Sequence, residues 1–303
     1  MEIELIEKYF YTDLAKLILD YIDLTKTESL ISKIPNKYIG NIIVDLNKKK
    51  YNKEYRKLMR RVIIKFNHIP DECINLTYLY CRWTEIYVIP DALVNLTYLH
   101  CSCTKVSIIP NILINLTYLN CCNTNVSIIP DTLTNLIDLH CCNTKVSIIP
   151  NTLINLTYLN CGNTKVSIIP NTLINLIDLR CYMLTKLYVI PDTLINLIKL
   201  HCGWTKIYII PDTLINLTDL NCGSTNVSII PDTLINLIKL HCNFTKIYII
   251  PDTLINLIDL NCHSTKVSII PDTLINLTYL DSRWTTISVI PLSINLYQYV
   301  KIE

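Results

Sequence analysis

Four histidines, His100, His140, His201 and His241, share one position of a repeating sequence. Ten cysteines (Cys81, Cys101, Cys121, Cys141, Cys161, Cys181, Cys202, Cys222, Cys242 and Cys262) share another. Imidazole and thiolate are the usual zinc ligands, so metal binding is the first chemistry this pattern raises. The spacing argues against it. If each repeat is one layer of a stack, the nearest of these histidines stand two layers, roughly 9 to 10 Å, apart. A shared ion with bonds of about 2 Å cannot span that distance. Cys101 with Cys103, and Cys121 with Cys122, lack the two-residue gap of a zinc knuckle. Asp138 with His140, and Asp259 with His263, offer acid–base pairs on one face, but no Ser or Cys in a strained elbow accompanies them. The 4 glycines of the chain, Gly40, Gly162, Gly203 and Gly223, are too scattered for a phosphate-cradling loop. The expectation is a protein that is not an enzyme, with no metal, no cofactor and no small-molecule substrate.

What positions these residues is a period. Prolines recur from Pro70 to Pro291 in steps of twenty residues, with one step of twenty-one between Pro170 and Pro191. A fixed period of this length means stacked supersecondary units. One copy, residues 150–169, carries its apolar residues at Leu153, Leu156, Leu159, Cys161, Val166 and Ile169. Around Leu159 alternate residues point the same way in a strand, so Leu159 and Cys161 are expected inside, with Tyr158, Asn160 and Gly162 outside. A strand this short cannot bury its apolar face alone, whereas parallel copies give a continuous core. Eleven rungs at about 4.8 Å would extend roughly 50 Å. The return path is too short for a long helix, so segments such as Asp232-Thr233-Leu234 are expected to make turns or short 3₁₀ pieces. Cysteine in a core position behaves as a small hydrophobe. Parallel neighbours also point the same way, which disfavours the disulfide torsion. Free thiols, and hence a reducing compartment, are expected.

The copy reads P-x-x-L-x-N-L-x-x-L-x-C-x-x-T, and over residues 70 to about 300 it resembles the leucine-rich repeat, L-x-x-L-x-L-x-x-N-x-L. Cys161 stands for the third Leu and Thr164 for the ladder Asn. The resemblance implies an α/β solenoid with a parallel β-sheet on the concave face and short turns or 3₁₀ segments on the convex face. The Thr column runs from Thr84 through Thr185 to Thr285. It should keep the ladder with fewer bonds, because a hydroxyl has one donor. Asn155 and Asn236 are read as turn residues.

On the expected concave face the side chains differ from copy to copy, which suits recognition of a protein partner. Tyr, Trp and Arg are the residues that most often anchor interfaces. The candidate contact residues are Tyr78, Tyr80, Trp83, Tyr98, His100, Tyr118, His140, Tyr158, Arg180, Tyr182, His201, Trp204, His241, Phe244, Tyr279 and Trp284. Histidines beside Asn in neighbouring rungs are read as hydrogen-bonding. The extra residue within 181–185 should form a bulge just after the strand, a slip tolerated in a loop.

Residues 1–66 stand apart as a helical N-terminal module ahead of a solenoid of about eleven repeats over 67–303. Ile6, Phe10, Leu14, Ile18 and Ile22 fall at helical spacing, and further helices are expected around 26–34, 38–47 and 51–64. A solenoid end exposes apolar surface, so a cap is the simplest role for this module. Residues 13–24, DLAKLILDYIDL, also resemble part of an F-box, which implies an adaptor for a host ubiquitin ligase. The basic run of residues 48–61 reads as the wet side of a helix rather than a nucleic-acid site. No secretory leader and no membrane-spanning apolar run are read, so an intracellular, cytoplasmic protein is expected. The repeats are similar in style to leucine-rich repeat proteins of giant DNA viruses of amoebae, which implies a host cytoplasm.

Three functions follow: a non-catalytic interaction scaffold first, the ubiquitin-ligase adaptor second, and a self-assembling array third. The last draws on extra isoleucines such as Ile154, Ile168 and Ile255 that the core does not need. Oligomeric state is left open.

Overall fold

The computed structural model describes residues 61–63, 68–69, 73–294 and 298–300. The chain forms two compact units, Met1–Val126 and Ser127–Glu303. In the first, β1 (Arg61–Ile63), β2 (Tyr78–Tyr80), β3 (Tyr98–His100) and β4 (Tyr118–Asn120) pair in parallel in chain order, with Leu79 opposite Leu99 and Leu99 opposite Leu119. In the second, the strands are β5 (Asp138–His140), β6 (Tyr158–Asn160), β7 (Asp178–Arg180), β8 (Lys199–His201), β9 (Asp219–Asn221), β10 (Lys239–His241), β11 (Asp259–Asn261), β12 (Tyr279–Asp281) and β13 (Gln298–Val300). They also pair in parallel and in order, Leu139 opposite Leu159 and onward to Leu260 opposite Leu280. Each unit is thus a parallel β-solenoid. The leucines lie in register because a slip by one residue would turn every Leu to solvent.

Backbone pairing continues beyond each three-residue strand. The N–H groups of Ile177 and Asp178 both donate to the Thr157 carbonyl, at 2.8 and 3.1 Å. Cys161 donates to Arg180 at 2.9 Å, Asn163 to Tyr182 at 2.9 Å, and Lys165 back to Val146 at 2.8 Å. Inside the rung, Leu153, Leu156, Leu159, Cys161, Val166 and Ile169 are all at 2% exposure or less, and the same six positions are buried in rung after rung. None of the fourteen cysteines is in a disulfide, and only Cys103 is not buried. Burial pushes Cys161 up from the ordinary 9.0 to about 12, because a thiolate there would lose its water.

The return path is a pair of successive turns. Leu153 donates to the Pro150 carbonyl at 3.4 Å and Leu156 to the Leu153 carbonyl at 3.1 Å. Among the described residues no element is helical, and none is long and apolar enough to cross a membrane. Two side-chain ladders tie these turns together. Asn155 Nδ2 donates to the Thr134 carbonyl at 2.9 Å and Asn236 to Ile215 at 3.0 Å. Thr152 donates to Asp131 at 2.6 Å and Thr233 to Asp212 at 2.7 Å. The Asn that the sequence marks as a turn residue is therefore also the link between rungs.

The Thr column works inside its own rung. Thr164 Oγ1 donates to the Cys161 carbonyl at 2.7 Å and accepts from the Val166 N–H at 3.4 Å, closing the turn after the strand. The longer rung departs from expectation here. Leu184, fully buried, takes the slot that Thr fills elsewhere, and Thr185 is exposed in an added turn where Leu187 donates to the Leu184 carbonyl at 3.1 Å. The extra residue therefore sits after Leu184, and the backbone beside the strand keeps its register, Met183 donating to Gly203 at 2.9 Å. Gly162 also departs: it is buried, because the Tyr182 ring covers it, and a Cβ there would lie 2.5 Å from that ring.

One rung breaks the Cys column. Ser282 stands where Cys262 stands one rung earlier, it is fully buried, and its hydroxyl has no hydrogen-bond partner. A buried hydroxyl without a partner costs about 1 to 3 kcal/mol. Ser282→Cys should therefore raise stability by about 1 kcal/mol, read as a higher urea midpoint at unchanged slope. A lower midpoint would contradict this.

The expected helix over 51–64 gives way at Arg61–Ile63 to β1, which pairs with β2. The remainder of that helix, the other N-terminal helices, the F-box-like residues 13–24 and the rest of the basic run lie outside the described residues.

Candidate binding face

Strand residues flanking the buried Leu form two columns on one face, as alternation requires. In the first unit, Tyr78, Tyr98 and Tyr118 stack face to face, with ring centroids 4.2 Å apart at 9° and again 4.2 Å at 7°. Rung spacing places like side chains within stacking distance, so three tyrosines in one column become one aromatic wall. Burial, with the neighbouring phenols, pushes the Tyr98 hydroxyl well above its usual range. In the next column Tyr80 meets His100 edge-on at 4.6 Å, and His100 Nε2 lies 2.8 Å from Ser102 Oγ.

In the second unit His201 and His241 pair with aspartates rather than with the asparagines expected. His201 and His241 lie 3.3 Å from Asp219 and Asp259 of the following rung. His140 Nε2 is 2.9 Å from Asp138 of its own strand, although that buried oxygen accepts no aligned hydrogen bond. The cause is the neighbouring column, where Asp stands one rung on or two residues back. Arg180 grips both carboxylate oxygens of Asp178 at 3.1 and 3.2 Å and lies over Tyr158 at 5.5 Å. Beside Tyr279, Arg283 grips Asp281 at 2.8 and 2.9 Å. Burial pushes the Asp281 carboxyl up, but the bonds and charge of Arg283 outweigh that and hold it below 3.8. Among the described residues no three metal-ligating side chains converge. On this face Arg180 and Arg283 thus neutralise Asp178 and Asp281, while Lys199 and Lys239 stand exposed beside the aromatic groups.

Those aromatic groups have an unusual backbone. The second residue after the ladder Cys has positive φ in every rung, between 52° and 62°, at Trp83, Cys103, Asn123, Asn143, Asn163, Met183, Trp204, Ser224, Phe244, Ser264 and Trp284. The turn that the Thr hydroxyl closes requires this conformation, which Gly and Asn adopt most readily. Three rungs have Asn there, but four hold Trp or Phe, and these are exposed: Trp83 71%, Trp204 67%, Trp284 63% and Phe244 51%, with Arg82 over Trp83, Arg283 over Trp284 and His263 edge-on to Phe244. The sequence places these four among the contact candidates but carries no sign of the strain. Tyr182, in contrast, belongs to the preceding column and lies over Gly162.

Beside Trp204 the face opens into a hollow of about 350 Å³, bounded by Tyr182, Met183, His201 and Asn243 and floored by Gly203 and Gly223. A Cβ on Gly203 would come within 3.1 Å of the Gly223 carbonyl, which accepts from the Trp204 N–H, and 3.3 Å of Asn221 Oδ1, which accepts from the Gly223 N–H, so glycine keeps the floor open.

No protein-family model and no curated protein matches the chain. Solved structures do. The functional domain of InlJ from Listeria monocytogenes, described as including a cysteine ladder, aligns with a TM-score of 0.68 at 26% identity over 72% of this chain and 51% of its own. This chain therefore spans about half the length of that domain. A leucine-rich repeat protein of Leptospira interrogans aligns at 0.67 and 18% identity, over 84% and 88% of the two chains. The ectodomain of the Arabidopsis receptor kinase HAESA, in complex with an IDA peptide hormone ligand, aligns at 0.65 and 20% identity, over 77% and 48%. The fold is that of leucine-rich repeat proteins.

Proposed function

We propose that this chain is a non-catalytic interaction scaffold that holds a protein partner on the strand face of its second unit, with Trp204, Phe244 and Trp284 as anchors. The observation that carries this reading is the left-handed backbone under exposed aromatic rings. A side chain with a Cβ costs roughly 1 to 2 kcal/mol in that conformation, and an exposed ring recovers little of it by packing. A large aromatic kept where the turn would be less strained with Gly or Asn points to use in contact. Trp is also the residue most enriched among interface anchors. HAESA, of the same fold, holds a peptide hormone, which gives the reading a precedent in the fold and no more.

The proposed setting is a reducing one, the cytoplasm of a host cell if the source is a giant virus. Its support is the column of buried thiols.

Trp204→Gly separates the contact role from a structural one. Its free energy of unfolding should stay level or rise by up to about 1 kcal/mol, as release of strain outweighs the added freedom of the unfolded chain. Affinity capture with the intact chain as bait should lose its specific partner when Trp204 and Phe244 are both changed to Gly. A destabilised Trp204→Gly chain, or capture of the same partner by the double variant, would refute the assignment.

A further inference from the structure

Each rung of the second unit carries an isoleucine or valine that the core does not use, just before the buried residue that precedes the proline. The column runs from Ile128 to Val289 through Ile168, Ile209 and Ile249, and its nine members are between 56% and 74% exposed. Three residues before this stripe stands a column of lysines (Lys145, Lys165, Lys186, Lys206, Lys246 and Lys266), all exposed. Three residues after it stands a column of aspartates (Asp131, Asp192, Asp212, Asp232, Asp252 and Asp272), also exposed. The stripe is thus a greasy seam with a positive border on one side and a negative border on the other.

We propose that two copies of this chain pair through that seam, running in the same direction, with the Lys column of each over the Asp column of the other. Charge complementarity selects the direction. Turning a second copy by half a turn about the stacking direction exchanges its two borders, so each Lys row meets an Asp row. Turning it end for end instead puts Lys on Lys and Asp on Asp. Within one chain both rows consist of like charges on adjacent rungs, at about 4.8 Å spacing, which is unfavourable. Among the described residues, the ion pair that a lysine makes within the chain is that of Lys105 with Glu85 in the first unit. A parallel copy in register sets Lys186, Lys206, Lys246 and Lys266 opposite Asp192, Asp212, Asp252 and Asp272, with Asn opposite the remaining charges.

The area also fits. At roughly 100 Å² per fully bared aliphatic side chain, the nine residues present on the order of 600 Å² of apolar surface. Flanking Tyr188 and Tyr208, both about half exposed, add to it. A stable two-chain interface buries about 800 Å² per partner. The seam and the strand face are made by different segments of each rung, so different variants test them.

Sedimentation velocity of the full chain, from about 1 to 100 µM (the range in which weak pairs form), should show a species of twice the 35.0 kDa chain mass. Ile168→Asp, Ile209→Asp and Ile249→Asp together should weaken it at least about tenfold without lowering the melting temperature of the monomer, measured at the lowest concentration, since all three are exposed in the single chain. Lys186→Glu, Lys206→Glu and Lys246→Glu in one chain, or Asp192→Lys, Asp212→Lys and Asp252→Lys in another, should each leave monomers, and an equimolar mixture should pair again. Direction is read by oxidation. Ile148→Cys and Ile269→Cys should each cross-link with themselves if the copies run parallel, and only with each other if they run opposite. A monomer at every concentration, dimers that survive the three Ile→Asp changes, or cross-links confined to the mixture would each overturn the proposal.

Discussion

Above pH 9 the protein should unfold, and steeply. The Cys column explains why: burial raises Cys81, Cys161, Cys222 and Cys262 from 9.0 to about 12, and Cys101, Cys181, Cys202 and Cys242 well above 9.0. In the unfolded chain these thiols ionise near 9; in the fold they stay neutral. Below 9 both states hold the protons and pH has no leverage through them. Between 9 and 12 the unfolded state alone releases protons, so stability falls as pH rises, and the contribution is gone once the folded thiols ionise. Each thiol costs about 1 kcal/mol per pH unit in that window, and eight acting together rival the whole stability of a domain, about 5 to 15 kcal/mol. Melting temperature followed by circular dichroism should therefore be level up to about pH 8.5 and collapse between 9 and 10.5. Changing Cys161, Cys202 and Cys222 to Val should move the collapse to higher pH. A melting temperature at pH 10.5 equal to that at pH 8 would show that the ladder thiols are not held neutral by burial.

Leu200→Ala in β8 should cost about 2 to 5 kcal/mol. Leu200 is fully buried at the centre of its rung, in register between Leu179 and Leu220, so truncation opens a void that two neighbours line but cannot fill without breaking register. Ile209, nine residues on and 59% exposed, provides the contrast: Ile209→Ala should change stability by less than about 0.5 kcal/mol. Urea unfolding of both variants would measure the difference. Equal losses would mean that the apolar residues of the rung do not divide into an inside and an outside as the strand alternation requires.

The core positions were legible because each repeat restates them, and Leu159 with Cys161 points inward as the period of two demands. The face columns followed from the same alternation. Other features were not legible. Nothing in the letters of residues 181–185 says whether the extra residue falls before or after Leu184. Keeping Met183 bonded to Gly203 decides it, since register is worth more than a threonine in its usual slot. Asp was missed as the partner of His201 and His241 because the partner lies in the adjacent column of the next rung, two residues away from the Asn that sequence alignment of the rungs puts opposite. The left-handed backbone beneath Trp204 was equally hidden. Gly and Asn announce that conformation, whereas Trp conceals it.

By itself the sequence determined a stack of parallel rungs, their inside, and the side chains each presents, because a pattern repeated at one period admits few ways to bury it. Tertiary structure decided what the presented residues do to one another. Stacking brings residues about twenty positions apart into contact, so whether a tyrosine stacks on a tyrosine, covers a glycine or flanks a hollow depends on the rung beside it. That pairing is a property of neighbours in space, and no single repeat contains it.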